Sequence, residues 1–136
     1  GGKVYVKLHP YQSDASRARI EKAAQSDPNI VLTEASVHDL IERCDWVVTQ
    51  NSAVGFEALM HRKSVITCGR SDYHHATMTA RTEEELRQMI RGEHGDQSGF
   101  PFEAYLYWFL SEHNVEPQRE DFAPIVWDRL RDKAMI

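Results

Sequence analysis

The sequence predicts an α/β fold: a three-layer lobe with a four-stranded parallel sheet, followed by a helical C-terminal tail. Short apolar runs rich in β-branched residues alternate with stretches of helical spacing, which is typical of βα units and of a parallel sheet covered on both faces. Polar clusters follow several of these runs, at the strand ends where such sheets bind ligands. The 136 residues, of which 41% are hydrophobic and 27% charged, indicate one globular domain with a core of its own.

Four apolar runs are predicted as strands, and each is bounded by a turn residue or a helix cap. In chain order they are Val4–Pro10, Ile30–Thr33, Trp46–Val48 and Ser64–Cys68. In the first run Val4, Val6 and Leu8 fall on one face, and Pro10 ends the run because proline has no N–H for a sheet hydrogen bond. We predict the strand order second, first, third, fourth across the sheet.

Helical patterns fill the segments between and after these strands. The first predicted helix is capped by Ser13 or Asp14 and runs to about Gln25, and the second is capped by Ser36 and runs from Val37 to Arg43. The others run from Ala53 to the basic group His61–Lys63, from Glu83 to Arg91, and over Ile125–Leu130. Thr82 and Glu85 form a capping box for the fourth helix, because each side chain can satisfy a free N–H at the helix start. A loop is predicted over Gly92–Gly99, and the aromatic run Phe102–Leu110 opens the tail.

Composition and spacing argue against several classes of protein. The net charge of −5 and the lack of a Lys/Arg stripe argue against nucleic-acid binding. No apolar run approaches the ~20 residues of a transmembrane helix and no signal-peptide pattern is present, so we expect a cytoplasmic protein with no transmembrane segment. Cys44 and Cys68 are isolated and are expected to be small buried thiols. No metal site is expected at His74 and His75, because adjacent side chains rarely point to one ion.

The stretch Asp45–Leu59 has the pattern most typical of a binding site. Its strand leads into Thr49–Ser52, whose side-chain oxygens suit a turn and an N-cap, and a helix follows from Ala53. Free N–H groups and the macrodipole at such a helix start attract an anion. Gly55, lacking a Cβ, would let a ligand or a neighbouring strand approach the backbone closely. The alternative interpretation is an ordinary capped βα turn.

Three polar clusters lie at predicted strand ends, and their convergence predicts a phosphate or nucleotide site. They are Lys7–Pro10, Gln50–Ser52 and Arg70–His75. The carboxyl ends of parallel strands share one edge of a sheet, so these side chains are expected to meet there.

Single residues in these clusters suit particular contacts, each with an alternative. His9 could donate to a phosphate oxygen or a leaving group, or could cap a loop by bonding a carbonyl. Lys7 is on the same strand face and could address the same anion, or could be a solvated strand residue. Glu57, one turn into the third helix, suits the two hydroxyls of a ribose, or could simply interact with the helix dipole.

Together the stretches Val4–Pro10, Val47–Leu59 and Ser64–Gly69 resemble the donor-binding lobe of GT-B glycosyltransferases. They are most similar to the capsule polysaccharide biosynthesis proteins that include the bacterial Kdo transferases. The resemblance covers about Val4 to Arg91, and the aromatic tail also looks like that family's C-terminal end. It implies a Rossmann-like lobe. The His-Pro pair is shared with bacterial sialyltransferases, which likewise use CMP-activated acidic sugars.

The resemblance also implies roles for the matching residues. His9 would contact the donor phosphate, and Asn51, Ser52 and the N–H of Ala53 would hold it from the helix end, while Glu57 would meet the ribose. The residues expected to contact the donor are Lys7, His9, Gln50, Asn51, Ser52, Ala53, Gly55, Glu57 and Tyr73. His9, through the leaving group, is the one candidate for a catalytic contact. The loop Asp72–His75 departs from the aromatic-rich, glycine-containing loop usual in the family.

The implied function is the nucleotide-sugar-binding lobe, over residues 3–100, of a retaining, CMP-Kdo-dependent glycosyltransferase of surface polysaccharide biosynthesis. The tail, residues 101–136, would pack on this lobe or on a partner, with a homodimer as one alternative. The donor is a substrate, and no cofactor is expected. The glycan acceptor and the catalytic carboxylate belong largely to a second lobe, so this fragment alone is expected to be inactive. The alternatives are a donor lobe for a UDP- or GDP-sugar and a non-catalytic interaction domain.

Overall fold

A computed structural model describes residues 2–93 and 99–134 and shows a mixed α/β architecture with parallel sheets and a helical C-terminal end, as predicted. The strands are β1 (Val4–Val6), β2 (Ile30–Leu32), β3 (Trp46–Thr49), β4 (Ser64–Thr67) and β5 (Met78–Thr79). The helices are α1 (Asp14–Ser26), α2 (Val37–Arg43), α3 (Ala53–Met60), α4 (Glu83–Ile90), α5 (Phe102–Trp108) and α6 (Phe122–Ala134). A 3₁₀ turn covers His74–Ala76, and a π-helical turn over Phe109–His113 continues α5. The middle of the predicted Gly92–Gly99 loop, residues 94–98, lies outside the described residues.

The prediction of one four-stranded sheet is wrong. The described strands form two sheets, one with β1 beside β2 and one with the order β3-β4-β5. Two of the predicted strand pairs are present, β2 with β1 and β3 with β4, but β1 does not pair with β3. In the first sheet Val4 pairs with Ile30 and Val6 with Leu32, and in the second Ile66 pairs with Met78, all in parallel register.

The alternation of apolar residues predicts a strand but not its neighbours, because pairing depends on how distant segments pack. The first strand is also shorter than predicted: the alternation Val4–Leu8 suggested a longer strand, but the ladder with β2 ends at Val6. The chain then turns, and a hydrogen bond from the Gln12 N–H to the His9 carbonyl over 2.9 Å closes the turn. β5 was not predicted because a two-residue strand has too little sequence to show a period of two.

The chain folds as two compact units, Gly1–Val65 and Ile66–Ile136, with the boundary inside β4. The core of the first unit includes Ile41, Ala58, Leu59 and Val65, each at most 2% exposed. The predicted division into a binding lobe over residues 3–100 and a tail over residues 101–136 is a division by function, and it stays a prediction.

The core of the second unit combines apolar side chains with a small hydroxyl network. Ile66 and Phe109 are buried there, and so is Thr67. The Thr67 hydroxyl lies 3.1 Å from that of Thr79 and 3.3 Å from that of Thr77. These mutual hydrogen bonds offset the cost of burying hydroxyl groups beside β4 and β5.

The predicted cap of α4 is confirmed with one difference. The Thr82 hydroxyl accepts from the Glu85 N–H over 3.1 Å. The Glu85 carboxylate reaches back to the N–H of Arg81, one residue before the cap, over 2.6 Å. Both side chains therefore satisfy backbone donors at the start of the helix, as a capping box does.

The two cysteines differ in exposure. Cys44 is partly buried, and burial raises the pKa of its thiol. Cys68 is exposed, so the prediction that both are buried is wrong for this residue, which follows the last residue of β4. Both thiols are free among the described residues.

Within residues 2–93 and 99–134 no helix has the length and apolar character needed to cross a membrane.

The helices α3 and α4 both end in a Schellman arrangement. In α4 the N–H of Gly92 donates to the carbonyl of Met89 over 3.0 Å, and the N–H of Glu93 donates to the carbonyl of Gln88 over 2.9 Å. This geometry requires a positive φ, which is 79° at Gly92. At the end of α3 the same place is taken by Arg62, with φ of 56°.

We expect Gly92→Ala to lower the free energy of unfolding by about 1 kcal/mol, since the left-handed conformation costs an L-residue about that much. A Cβ at Gly92 would meet nothing within 4 Å, so the cost would come from the backbone alone. Urea unfolding followed by circular dichroism measures the change. Gly99→Ala is the control, because Gly99 also has open space but no positive φ, and it should shift stability by no more than about 0.5 kcal/mol. Equal losses in the two variants would contradict this account of the helix end.

Candidate functional site

The turn between β3 and α3 is the structural basis of the candidate site. Ser52 is the N-cap, as predicted, and its hydroxyl accepts from the Val54 N–H over 3.3 Å. Its carbonyl accepts from the Gly55 N–H over 3.0 Å, and its own N–H donates to the Thr49 hydroxyl over 3.4 Å. These bonds fix the turn and satisfy two of the N–H groups in the first turn of the helix.

The N–H of Ala53 is the backbone donor that this cap leaves open. Within the described part of the chain no acceptor is present for it, and the exposed side chains of Gln50 and Asn51 have no hydrogen-bond partner either. Amide side chains can donate two hydrogen bonds each. The start of α3 therefore presents a backbone N–H and two side-chain amides to solvent, where the helix dipole favours an anion.

Glu57 lies one turn further along the same helix face. Residues four apart are neighbours on a helix surface, so Glu57 is about 6 Å from Ala53 along the axis. Its Cα–Cβ bond tilts toward the start of the helix, as in any α-helix. The side chain is half-buried, and among the described residues its carboxylate has no hydrogen-bond partner. The Glu57 carboxylate, a hydrogen-bond acceptor, therefore lies one helical turn beyond the donors at the start of α3.

Gly55 lies on the other side of α3. It is buried, and it is about 200° around the helix from Ala53. This position supports close packing of α3 within the first unit. A contact between Gly55 and a ligand stays a prediction.

His9 is exposed just beyond β1, and its ring has a defined orientation. Its Nδ1 accepts from the N–H of Tyr11 over 3.1 Å, and the Tyr11 ring lies 5.6 Å from the imidazole. A neutral ring with Nδ1 as acceptor carries its proton on Nε2. His9 does cap a loop, but through an N–H instead of a carbonyl, and this leaves Nε2–H as the outward donor.

Lys7 is held by the loop between β2 and α2. Its ammonium donates to the carbonyl of Ala35 over 2.6 Å and to that of Glu34 over 3.3 Å. The side chain therefore ties the end of β1 to that loop. A direct contact between Lys7 and an anion stays a prediction, and the third N–H of the ammonium is the group that could make it.

The predicted site residues fall at two places in the first unit and one in the second. Lys7 and His9 follow β1, and residues 50–57 form the turn and helix after β3. Since β1 and β3 belong to separate sheets, the facing arrangement of these two clusters stays a prediction. Tyr73 belongs to the second unit, where its ring is 2% exposed and burial raises the pKa of its hydroxyl. A contact between Tyr73 and a sugar also stays a prediction.

The rings of the paired histidines of the second unit lie against one another at a tilt of 36°. The rings of His74 and His75 are 3.9 Å apart, and His74 Nδ1 donates to the carbonyl of Ser71 over 2.6 Å. Across residues 2–93 and 99–134 no group of three or more His, Cys, Asp or Glu side chains is arranged to hold a metal ion.

Two clefts along the C-terminal helices were not predicted from the sequence. The larger, of about 410 Å³, lies between the π-helical turn and the start of α6, and the smaller, of about 230 Å³, is lined by Trp108, Glu112, His113, Arg129, Asp132 and Lys133. The aromatic run Phe102–Leu110 was predicted only to pack, with the rest of the tail, on the lobe or on a partner. The signal was present in the spacing of Trp108 and Glu112, because residues four apart on a helix share a face.

Comparison with known proteins gives a family. The family model described as capsule polysaccharide biosynthesis protein matches residues 2–116, which is most of the chain. No curated protein and no solved structure gives a significant match.

Proposed function

Because this chain belongs to the capsule polysaccharide biosynthesis protein family, we propose that it is the donor-binding lobe of a GT-B glycosyltransferase and that its first unit binds a nucleotide sugar, CMP-Kdo. The observation that carries the proposal is the start of α3. Considering only the residues that the structure describes, it offers an open backbone N–H at Ala53, two unpaired amide side chains before it and an unpaired carboxylate at Glu57 one turn later. A nucleotide matches this order of groups. Its phosphate oxygens accept hydrogen bonds and suit the donors at the helix start, and its ribose hydroxyls donate and suit the Glu57 carboxylate.

The phosphate is the group that the start of α3 suits best. The helix dipole contributes about 0.3–1 kcal/mol to anion binding, and up to ~2 kcal/mol where the site is partly buried. Asn51 and the Ala53 N–H add charge-assisted hydrogen bonds, which are stronger than bonds between neutral groups. As the sugar is transferred, negative charge grows on the leaving phosphate, and these donors stabilise it.

His9 supplies a second donor in this proposal. Its Nδ1 is occupied by the Tyr11 N–H, so the ring cannot turn its acceptor nitrogen toward the phosphate without breaking that bond. The Nε2–H is therefore set to donate to a phosphate oxygen. Transfer itself takes place with the acceptor glycan on a second lobe, and we propose the cytoplasm as its location.

Titration calorimetry with CMP, UDP and GDP tests the proposal. We expect heat of binding with CMP, weaker binding with the other two nucleotides, and no sugar transfer by this chain alone. A preference for UDP or GDP would assign the lobe to another GT-B donor. Absence of binding to all three would refute the nucleotide site and leave a non-catalytic interaction domain of this fold.

Glu57→Gln tests the ribose contact. We expect it to weaken CMP binding by about 1–2 kcal/mol, since a hydrogen bond to a charged acceptor becomes one to a neutral acceptor. Binding of methyl phosphate, which has no ribose, should be unchanged. Glu42→Gln, at an exposed position on α2, is the control and should leave both affinities as they are. Equal losses for CMP and methyl phosphate would show that Glu57 acts on the helix and not on the ribose.

A further inference from the structure

The second unit carries a groove along its C-terminal helices that the proposed nucleotide site does not use. The two clefts that form it share Glu112 and Arg129 in their linings, so they adjoin each other along the π-helical turn and α6. We propose that this groove binds a glycan, with one sugar ring stacked on the indole of Trp108. The proposal rests on the family's role in polysaccharide synthesis and on the chemistry of the groove, independently of the nucleotide site.

Trp108 provides a fixed aromatic surface at the smaller cleft. Its ring lies 5.2 Å from that of His113, 5.9 Å from that of Tyr105 and 6.4 Å from that of Phe109. Phe109 is buried, while Trp108 remains 46% exposed. The indole is thus supported by other rings and still open to a ligand. The face of an indole carries negative charge density, which attracts the slightly positive C–H groups on the face of a sugar ring.

The polar groups around the indole are balanced in charge. Glu112 and Asp132 supply carboxylates, and Arg129 and Lys133 supply cations. A hydroxyl group donates one hydrogen bond and accepts others, so a ligand rich in hydroxyls can use both kinds of side chain. Two opposite pairs of charges give no net attraction for an anion. The groove therefore favours a neutral sugar over an acidic one.

Arg129 is held in place before any ligand arrives. Its Nη1 donates to the carbonyl of His113 over 3.0 Å and to that of Asn114 over 3.2 Å. Among the described residues its Nε and Nη2 groups have no acceptor, and both clefts border this side chain. These two carbonyls lie at the end of the π-helical turn. That turn is closed by a hydrogen bond from the Asn114 N–H to the Phe109 carbonyl over 3.0 Å. Such turns are frequent at functional sites.

The test is an array of neutral and acidic oligosaccharides, followed by titration of a bound glycan and saturation-transfer NMR. We expect neutral oligosaccharides to bind. Trp108→Ala should lower the affinity for the glycan at least tenfold. Trp108→Phe keeps an aromatic face and should lower this affinity less. Trp127→Ala is the matched control: Trp127 is 67% exposed on α6 and lines neither cleft, so affinity should stay within about twofold. Circular dichroism confirms that each variant is folded.

Three results would overturn the proposal: no binding of neutral oligosaccharides, equal affinity in the folded Trp108→Ala variant, or binding confined to acidic glycans. A CMP titration of the same variants separates this site from the nucleotide site. We expect Trp108→Ala to bind CMP as well as the unchanged chain does, and loss of CMP binding would place the nucleobase on the indole instead. A chain that binds CMP but no glycan refutes the groove alone, and the reverse result refutes the nucleotide site alone.

Discussion

Phe109→Ala should lower the free energy of unfolding of the second unit by about 3–5 kcal/mol, the largest loss of stability expected from one substitution in the tail. Phe109 is 4% exposed although it lies in the π-helical turn at the end of α5. Its ring stacks on His113 at 5.0 Å and lies 5.9 Å from Tyr105. Removal of the ring takes away buried apolar area and leaves a cavity that the surrounding helices fill only in part.

Urea unfolding followed by circular dichroism measures this loss. Tyr107→Ala is the matched control, since Tyr107 is an aromatic residue of the same helix that is 71% exposed, and a change within about 0.5 kcal/mol is expected. Phe109→Leu keeps most of the volume and should cost less than about 1.5 kcal/mol, so it gives a measurable value even if the alanine variant does not fold. Equal effects of the two alanine substitutions would mean that Phe109 does not anchor the tail.

The parts of the fold that depend on neighbouring residues in the sequence were predictable. Ser13, Ser52 and Thr82 each cap the helix that the sequence assigned to them. Capping is set by side-chain atoms within three residues of the helix start, so the sequence contains the whole interaction. Ser36 shows the limit: it is the N-cap of α2, but its side chain makes no capping hydrogen bond.

The parts that depend on distant residues were not predictable. Whether β1 joins β3 depends on the geometry of the whole sheet, and the alternation Val4–Leu8 carries no information about it. The bonds from Lys7 to residues 34 and 35 likewise join groups 27 and 28 positions apart. The burial of Tyr73 depends on how the second unit packs, and a loop tyrosine in a sequence looks the same whether it is buried or exposed.

The candidate site divides in the same way. The turn before α3 was predicted down to its cap, and the structure adds that the Ala53 N–H stays open among the described residues. For His9 the sequence left two alternatives, a ligand contact or a loop cap. The structure shows a third arrangement, in which the ring caps the loop through Nδ1 and keeps Nε2–H outward. A cap and a ligand contact are therefore compatible in one residue.

His9→Ala should weaken binding of CMP by about 1.5–3 kcal/mol, roughly ten- to a hundredfold in Kd, which is the expected contribution of one charge-assisted hydrogen bond. The reason is the orientation of the ring: with Nδ1 bonded to the Tyr11 N–H, the Nε2–H is the group that can reach a phosphate oxygen. Methyl phosphate should lose affinity by a similar factor, because the contact is to the phosphate and not to the ribose. This distinguishes His9 from Glu57, whose substitution should affect CMP alone.

His61→Ala is the control for this experiment, since His61 is an exposed histidine at the opposite end of α3. Its removal takes away the same ring without touching the start of the helix, so the affinity for CMP should not change. If His9→Ala binds CMP as tightly as the unchanged chain does, His9 is a loop cap only. The phosphate would then depend on Asn51, Ser52 and the Ala53 N–H, and Asn51→Ala would be expected to show the loss instead.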